Sequence, residues 1–300
     1  MSKTNRVFVL SGPIGLGRLD ERSRERLKHA RLAAGSDLVA PEARLAERLG
    51  LDAGLTRRAT TRFQGEQARE AEGWIAAADP VYLEPRLDHL CLMAQTLDDS
   101  ERQALAAHLG ESLAGGGLAF VVEGSGLYVR SEQPFATSDY PTRLIDGLLP
   151  NKYLPAGDGA NEFRTLLAEI EMSLHEHPVN LSRQSRGLRP VNSLWLWGGA
   201  ESIAGSAQRL PRLFSDDALL RGLWRLHGAD PATASSLDEA LATGDELVAD
   251  IGDDLESLAR LIDAGRPLLL FSRDGYTLDA DGSGAWQFWK RRHAALEPGS

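Results

Sequence analysis

Apolar residues in this chain come in short runs separated by charged, amphipathic stretches, and that rhythm predicts an α/β protein. Residues 7–10 (VFVL) read as a buried strand ended by Ser11-Gly12-Pro13. The Arg-rich stretch 20–34 predicts a solvated helix, and 41–49 a short helix with Pro41 in its first turn. The polar stretch 52–65 reads as a loop, and Asp79-Pro80 as a chain break. A strand is expected at 89–94. Asp98-Asp99-Ser100 then opens a helix with Leu105, Leu109 and Leu113 four apart, closed by Gly115-Gly116-Gly117. Residues 118–122 and 127–130 flank Glu123-Gly124-Ser125-Gly126, a hairpin signal.

Beyond a Pro- and Gly-rich linker at 133–158, residues 161–175 carry the clearest helical stripe: Phe163, Leu166, Leu167, Ile170 and Leu174. Pro178 terminates it. An Arg- and Asn-bearing loop leads to a strand at 193–197 (SLWLW), apolar on both faces, with Gly198-Gly199 directly after it. Helices are expected at 216–226, 237–241 and 253–262, a strand at 267–272, a turn at Arg273-Asp274-Gly275, and an aromatic tail at Trp286, Phe288 and Trp289.

Composition narrows the function classes. A formal charge of −10 leaves no footprint for nucleic acid or an anionic membrane. No apolar run reaches the ~20 residues that span a bilayer, and the N-terminal apolar run is too short for a signal-peptide core. A soluble, cytoplasmic protein is the expectation. The single cysteine, Cys91, excludes an internal disulfide and a cysteine-based zinc cluster, and reads as a small buried hydrophobe.

The segment 175–199 holds the densest candidate chemistry. In open α/β folds ligands bind past the carboxyl ends of strands, where glycines admit close backbone approach. His175 and His177 lie two apart, a spacing that does not put two metal ligands on one helix face. His177 suits either the C-terminal end of a helix dipole or a role as acid, base or anion donor. Arg183, Arg186 and Arg189 fit an anion clamp or solvated surface charge. Asn180 and Asn192 fit turn fixing or ligand contact. The Gly-bearing segment 11–17 matches neither the dinucleotide nor the P-loop pattern, and G-x-S-x-G is absent.

His177-Pro178-Val179-Asn180, Arg183, Gly187 and Pro190-Val191-Asn192, followed by an apolar strand ending in glycines, resemble the archaeal-type cofactor-independent phosphoglycerate mutases. Arg86 and Asp88 resemble the R-x-N pair of their small inserted domain, and Leu219-Leu220-Arg221-Gly222-Leu223 also fits the pattern. The strings ADPV, HEHPVN and VNSLWLWGG are most similar to a bacterial phosphoglycerate-mutase-like family labelled as regulatory proteins of a pathogenicity-factor cluster.

The resemblance implies an alkaline-phosphatase-like, mainly parallel sheet with helices on both faces. The α/β core would be 1–70 with 151–300, and 71–150 a small α+β insert. It also implies a two-metal phosphoryl-transfer centre with a serine nucleophile. The chain departs from that centre. Its first strand ends in Ser11-Gly12 where the family has Asp-Gly, and its last in Ser272-Arg273-Asp274 with only His293 beyond.

The reading that follows is a catalytically degenerate mutase relative without a cofactor. It would bind a small anionic or phosphorylated ligand, or a protein partner, through Arg86, His177, Asn180, Arg183 and Asn192, in the cleft between core and insert. One alternative is an active, metal-dependent mutase or phosphotransferase drawing on Asp245, Asp250, Asp253 and Asp254. A second is an interaction protein with no small ligand.

Overall fold

The computed structural model describes residues 5–13, 18–36, 39–67, 72–231 and 236–280. Its strands are β1 (Val7–Ser11), β2 (Arg31–Ala34), β3 (Trp74–Pro85), β4 (Leu90–Ala94), β5 (Leu118–Glu123), β6 (Gly126–Ser131), β7 (Ser193–Glu201), β8 (Arg212–Phe214), β9 (Leu247–Gly252), β10 (Leu268–Ser272) and β11 (Tyr276–Ala280). The helices are α1 (Glu21–Leu27), α2 (Pro41–Leu49), α3 (Ala59–Glu66), α4 (Asp99–Ser112), α5 (Thr142–Ile145), α6 (Ala160–Leu174), α7 (Pro178–Ser185), α8 (Ala218–Leu226), α9 (Leu237–Ala242) and α10 (Leu255–Asp263).

Two compact units result: 1–53 with 207–300, and 54–206. The insert expected at 71–150 lies within the second unit, together with residues 54–70 and 151–206.

The first unit is built on a six-stranded sheet in the order β2-β11-β10-β1-β9-β8. β10, β1, β9 and β8 are parallel; at one edge β11 pairs antiparallel with β10, and β2 antiparallel with β11. β1 is central and buried along its whole length. Val7 and Val9 point into one core with Leu27 of α1, Leu237 and Ala240 of α9, and Leu258, Leu261 and Ile262 of α10. α2 packs against β10 and β1 outside that cluster. The stretch 20–34 is not one helix. α1 ends at Leu27, and β2 supplies an edge strand to β11.

The second unit is an antiparallel sheet, β4-β3-β6-β5, with β7 also on β3. The SLWLW strand, expected in the parallel core, belongs to this sheet and pairs antiparallel with β3, Val81 opposite Ser193 and Asp79 opposite Trp195. Asp79 and Pro80, expected to break the chain, lie within the twelve-residue β3. One face of the sheet packs Leu194 and Leu196 with Leu105 and Leu109 of α4 and Phe163, Ile170 and Leu174 of α6. The other face packs Trp195 and Trp197 with Phe63 of α3 and Tyr128.

α3 occupies the stretch expected to be loop. Its polar residues are inside, with Thr60, Thr61 and Gln64 buried. The Asp79 carboxylate accepts hydrogen bonds from Arg62 Nη1 at 2.6 Å, Thr142 Oγ1 at 2.7 Å and Trp197 Nε1 at 2.8 Å. Burial alone would raise the Asp79 carboxyl, but the Arg62 charge and these donors outweigh it and hold it below the usual carboxylate range.

Candidate functional site

Pro178, expected to end a helix, also begins one. α6 stops at Leu174, the chain turns through Glu176 at φ 59°, and α7 starts with Pro178 in its first turn. The presumed loop is therefore helical, and this fixes where the predicted site residues point. His177 caps the N-terminus of α7, its Nδ1 accepting from Val179 N at 3.2 Å. Its buried ring lies 4.5 Å, centroid to centroid, from that of His108. Burial, then the His108 charge, lower the His177 pKa.

The two asparagines serve the backbone. Asn180 Nδ2 donates to Leu174 O at 3.1 Å and Val191 O at 2.8 Å, and its Oδ1 accepts from Val191 N at 2.8 Å. Asn192 Oδ1 accepts from Leu83 N at 2.7 Å while its Nδ2 donates to Leu83 O at 3.1 Å, so the side-chain amide pairs with β3 as a strand would.

Arg183, 3% exposed, is enclosed. Its Nε donates to Arg189 O at 2.8 Å, its Nη1 to Thr96 O at 3.0 Å and Glu101 Oε2 at 2.9 Å, and its Nη2 reaches Gln95 Oε1 at 3.4 Å. Glu101 also completes the capping box of α4 with Asp98 and receives Arg186.

Arg86 stands apart from these four. It sits in the turn between β3 and β4, half exposed, paired with Glu84; Arg189 approaches the other Glu84 oxygen at 3.8 Å. Asn180, Arg183 and Asn192 thus gather where α7, α4 and β3 meet the start of β7, with their polar atoms engaged by protein groups.

Gly198-Gly199 do not stand at the end of a parallel strand. β7 continues through them to Glu201 beside β3. The strand-end rule applies instead to the first unit, where the carboxyl edges of β10, β1, β9 and β8 present Ser272, Ser11, Gly252 and the Ser215 that follows Phe214. The crest is not legible in the sequence as a set, because Asp250 interrupts the apolar run of β9.

At the crest Ser215 Oγ donates to Asp250 Oδ2 at 3.2 Å and accepts from Asp217 N at 3.0 Å. Burial, then the negative charges of Asp217 and Glu42, raise the Asp250 carboxyl above the usual range. Ser272 Oγ contacts the Asp274 carboxylate, and Arg44 donates to Gly275 O at 3.1 Å and Tyr276 O at 2.8 Å. The Asp253 carboxylate fills the place of a Gly12 side chain: a Cβ there would lie 1.6 Å from its Oδ1.

Two divalent ions need about six or seven hard donors converging on them. The carboxylates of the described residues do not fit that requirement. Asp254 caps α10 through Glu256 N and Ser257 N, and Asp250 is bonded to Ser215 and Gly252 N. Among the described residues no group of three or more His, Cys, Asp or Glu is placed to hold a metal. His293, the aromatic tail and residues 14–17 of the Gly-bearing segment lie outside the described residues. Among those described, no helix is long and apolar enough to cross a membrane.

No protein-family model matches the chain. Its curated relatives are 2,3-bisphosphoglycerate-independent phosphoglycerate mutases. The protein of Methanothrix thermoacetophila is 34% identical over 110 residues, 32% of this chain and 27% of that protein. That of Methanosarcina mazei is 41% identical over 58 residues, 19% of this chain and 15% of that protein. The matched stretch thus spans about a quarter or less of these relatives' length. Among solved structures, the cofactor-independent phosphoglycerate mutase of Thermoplasma acidophilum aligns with 93% of this chain and 89% of its own at 15% identity and a TM-score of 0.42. A protein of Pyrococcus horikoshii aligns with 94% and 88% at 13% identity and a TM-score of 0.49.

Proposed function

We propose that this chain is a phosphoglycerate-mutase-like protein that has given up phosphoryl transfer and acts by binding, in a regulatory role. The donor set at the crest of the parallel sheet carries this reading. Ser11 and Ser272 end the strands where metal ligands would be needed, and the carboxylates of Asp250, Asp254 and Asp274 are bonded to N–H and O–H groups of the protein. A metal-dependent transfer would need the opposite: open, deprotonated oxygens aimed at a common point.

The ligand is a small phosphorylated or carboxylated anion, or an acidic segment of a protein partner. Of the five residues with the family pattern, Arg86 is the exposed cation, and Arg189 is its nearest basic companion across Glu84. His177, Asn180, Arg183 and Asn192 build the scaffold behind that surface.

One observation favours the active-enzyme alternative. Asp217, Glu42 and Asp250 crowd negative charge at the crest, and a cation would relieve it. Turnover decides between the readings. Purified protein supplied with 3-phosphoglycerate and excess Mn²⁺ or Mg²⁺ is expected to form no 2-phosphoglycerate above the uncatalysed background; metal-dependent isomerisation overturns the proposal. In the absence of turnover, a thermal shift with 3-phosphoglycerate that falls in Arg86→Ala supports the anion site. No shift with any small anion leaves the protein partner as the ligand.

A further inference from the structure

We propose that His108 and His177 form a proton-sensitive clasp that fixes the start of α7 against α4 and α6 near neutral pH and releases it in mild acid. The pair is wholly within the second unit, and the proposal does not depend on what the strand-end crest binds.

The geometry begins with an unusual cap. Helix N-termini are ordinarily closed by Ser, Thr, Asp or Asn. Here the acceptor is an imidazole nitrogen, His177 Nδ1, which receives the N–H of Val179. Pro178 has no N–H to offer, so the Val179 donor is the first that the cap can satisfy. An imidazole accepts at Nδ1 only while that nitrogen is unprotonated.

The second ring comes from α4. His108 Nε2 lies 2.8 Å from Ser173 O and 2.9 Å from Ser173 Oγ, in the last turn of α6. A carbonyl oxygen can only accept, so Nε2 carries the hydrogen. Three helices therefore meet at two imidazoles whose centroids are 4.5 Å apart and whose planes are tilted by 56°.

A proton on His177 undoes this junction in three ways. It removes the acceptor for Val179 N. It sets a positive charge at the N-terminus of α7, the positive end of the helix dipole. It also brings that charge beside His108 in a site only 8% exposed.

The groups facing His177 offer no compensating anion. From α4 the titratable neighbour is His108, which is itself bonded to the uncharged Ser173 of α6. His175 and Glu176, the two preceding residues, are exposed, and Arg183 on α7 is bound to Glu101. Burial first and His108 second hold the His177 imidazole below its ordinary range.

The direction follows by linkage. The closed state keeps His177 neutral, whereas the released state takes up a proton near 6.5, the ordinary imidazole value. Closure is complete above that value and weakens as pH falls below it, by up to about tenfold per pH unit for one proton. The consequence spreads because α7 also carries Asn180, which holds Leu174 and Val191, and Arg183, which holds Glu101.

Hydrogen exchange on the full chain between pH 7.5 and 5, corrected for intrinsic rates, tests the clasp. Protection of the Val179–Leu181 amides is expected to fall by up to about tenfold per pH unit below 6.5. His177→Asn keeps a capping acceptor that does not titrate, and should flatten that dependence. His108→Gln removes the neighbouring charge, and should move the onset to higher pH. Wild-type protection that ignores pH, or the same fall in His177→Asn, overturns the proposal. Should His177→Asn fail to fold, the wild-type imidazole titration followed by NMR decides: a His177 midpoint at or above the ordinary histidine range overturns it.

Discussion

Replacing Arg183 by alanine separates a structural cation from an anion receptor. In the folded protein Arg183 is buried against Glu101, itself 7% exposed, and also holds the carbonyls of Thr96 and Arg189. Removing one member of a buried ion pair typically costs about 3–5 kcal/mol, because the other charge stays behind without compensation. Two features moderate this. Arg186 still reaches the second Glu101 oxygen, and Asp98 N still donates to Oε2 at 3.1 Å. The lower end, about 3 kcal/mol, is therefore expected, and for a unit of this size it lowers Tm by about 6–12 °C.

The assay must localise the loss, since two compact units need not unfold together. Hydrogen exchange in α4 and α7 serves: both should lose protection in Arg183→Ala while β1, β9 and β10 keep theirs. In a double-mutant cycle, Arg183→Ala with Glu101→Ala should lose clearly less than the sum of the single changes, because the second removes the charge that the first strands. A stability loss below about 1 kcal/mol refutes the structural reading. If the fold also stays intact and a thermal shift with phosphorylated anions disappears, Arg183 returns as an anion clamp.

Three further outcomes follow from single sites. Glu176 adopts φ 59° between α6 and α7, so Glu176→Gly should stabilise the second unit by roughly 0.5–1 kcal/mol, read by urea denaturation. Gly198, at φ 66°, has Arg57 O 2.5 Å and Ala59 N 2.8 Å from the place a Cβ would take; Gly198→Ala should cost about 2–4 kcal/mol by the same measurement, and a neutral effect would contradict the close approach of α3 to β7. Asp250 holds its proton more tightly in the folded state than in the unfolded chain, so its contribution is present at acid pH and is lost as pH rises through the raised value. Asp250→Asn should therefore stabilise the first unit more at pH 7 than at pH 3, and equal effects at both would show that the crest does not perturb it.

Patterning found the elements whose burial is apolar and regular. β1, α4, α6, α8, α10 and β10 lie within a few residues of where their apolar residues put them, and the Asp98–Glu101 capping box marks the start of α4. The misses share a cause. α3 buries Thr60, Thr61 and Gln64, and the half-buried Arg62 is stabilised by Asp79, seventeen positions away on another element. That pairing is tertiary, so neither stretch betrays it locally: 52–65 looks like a loop and Asp79-Pro80 like a break. α7 was hidden because its capping residue is a histidine, and because a proline after a helix looks the same whether it ends that helix or begins the next.

The same cause hides how the polar residues of 175–199 are placed. The strand-end rule applies to parallel sheets, and the direction of β7 is set by β3, more than a hundred residues earlier. Once β7 is antiparallel, its polar neighbours find their partners in the protein: Asn192 extends the ladder of β3, Asn180 ties a helix to a strand entrance, and Arg183 neutralises a capping glutamate. The parallel strand ends lie instead in segments that read as unremarkable turns, Ser11-Gly12 and Ser272-Arg273. What such ends can bind depends on which side chains the topology brings together there. At the ends of β1 and β10 it brings together Ser11 and Ser272, with Asp250 and Asp274 beside them hydrogen-bonded to Ser215 and Ser272.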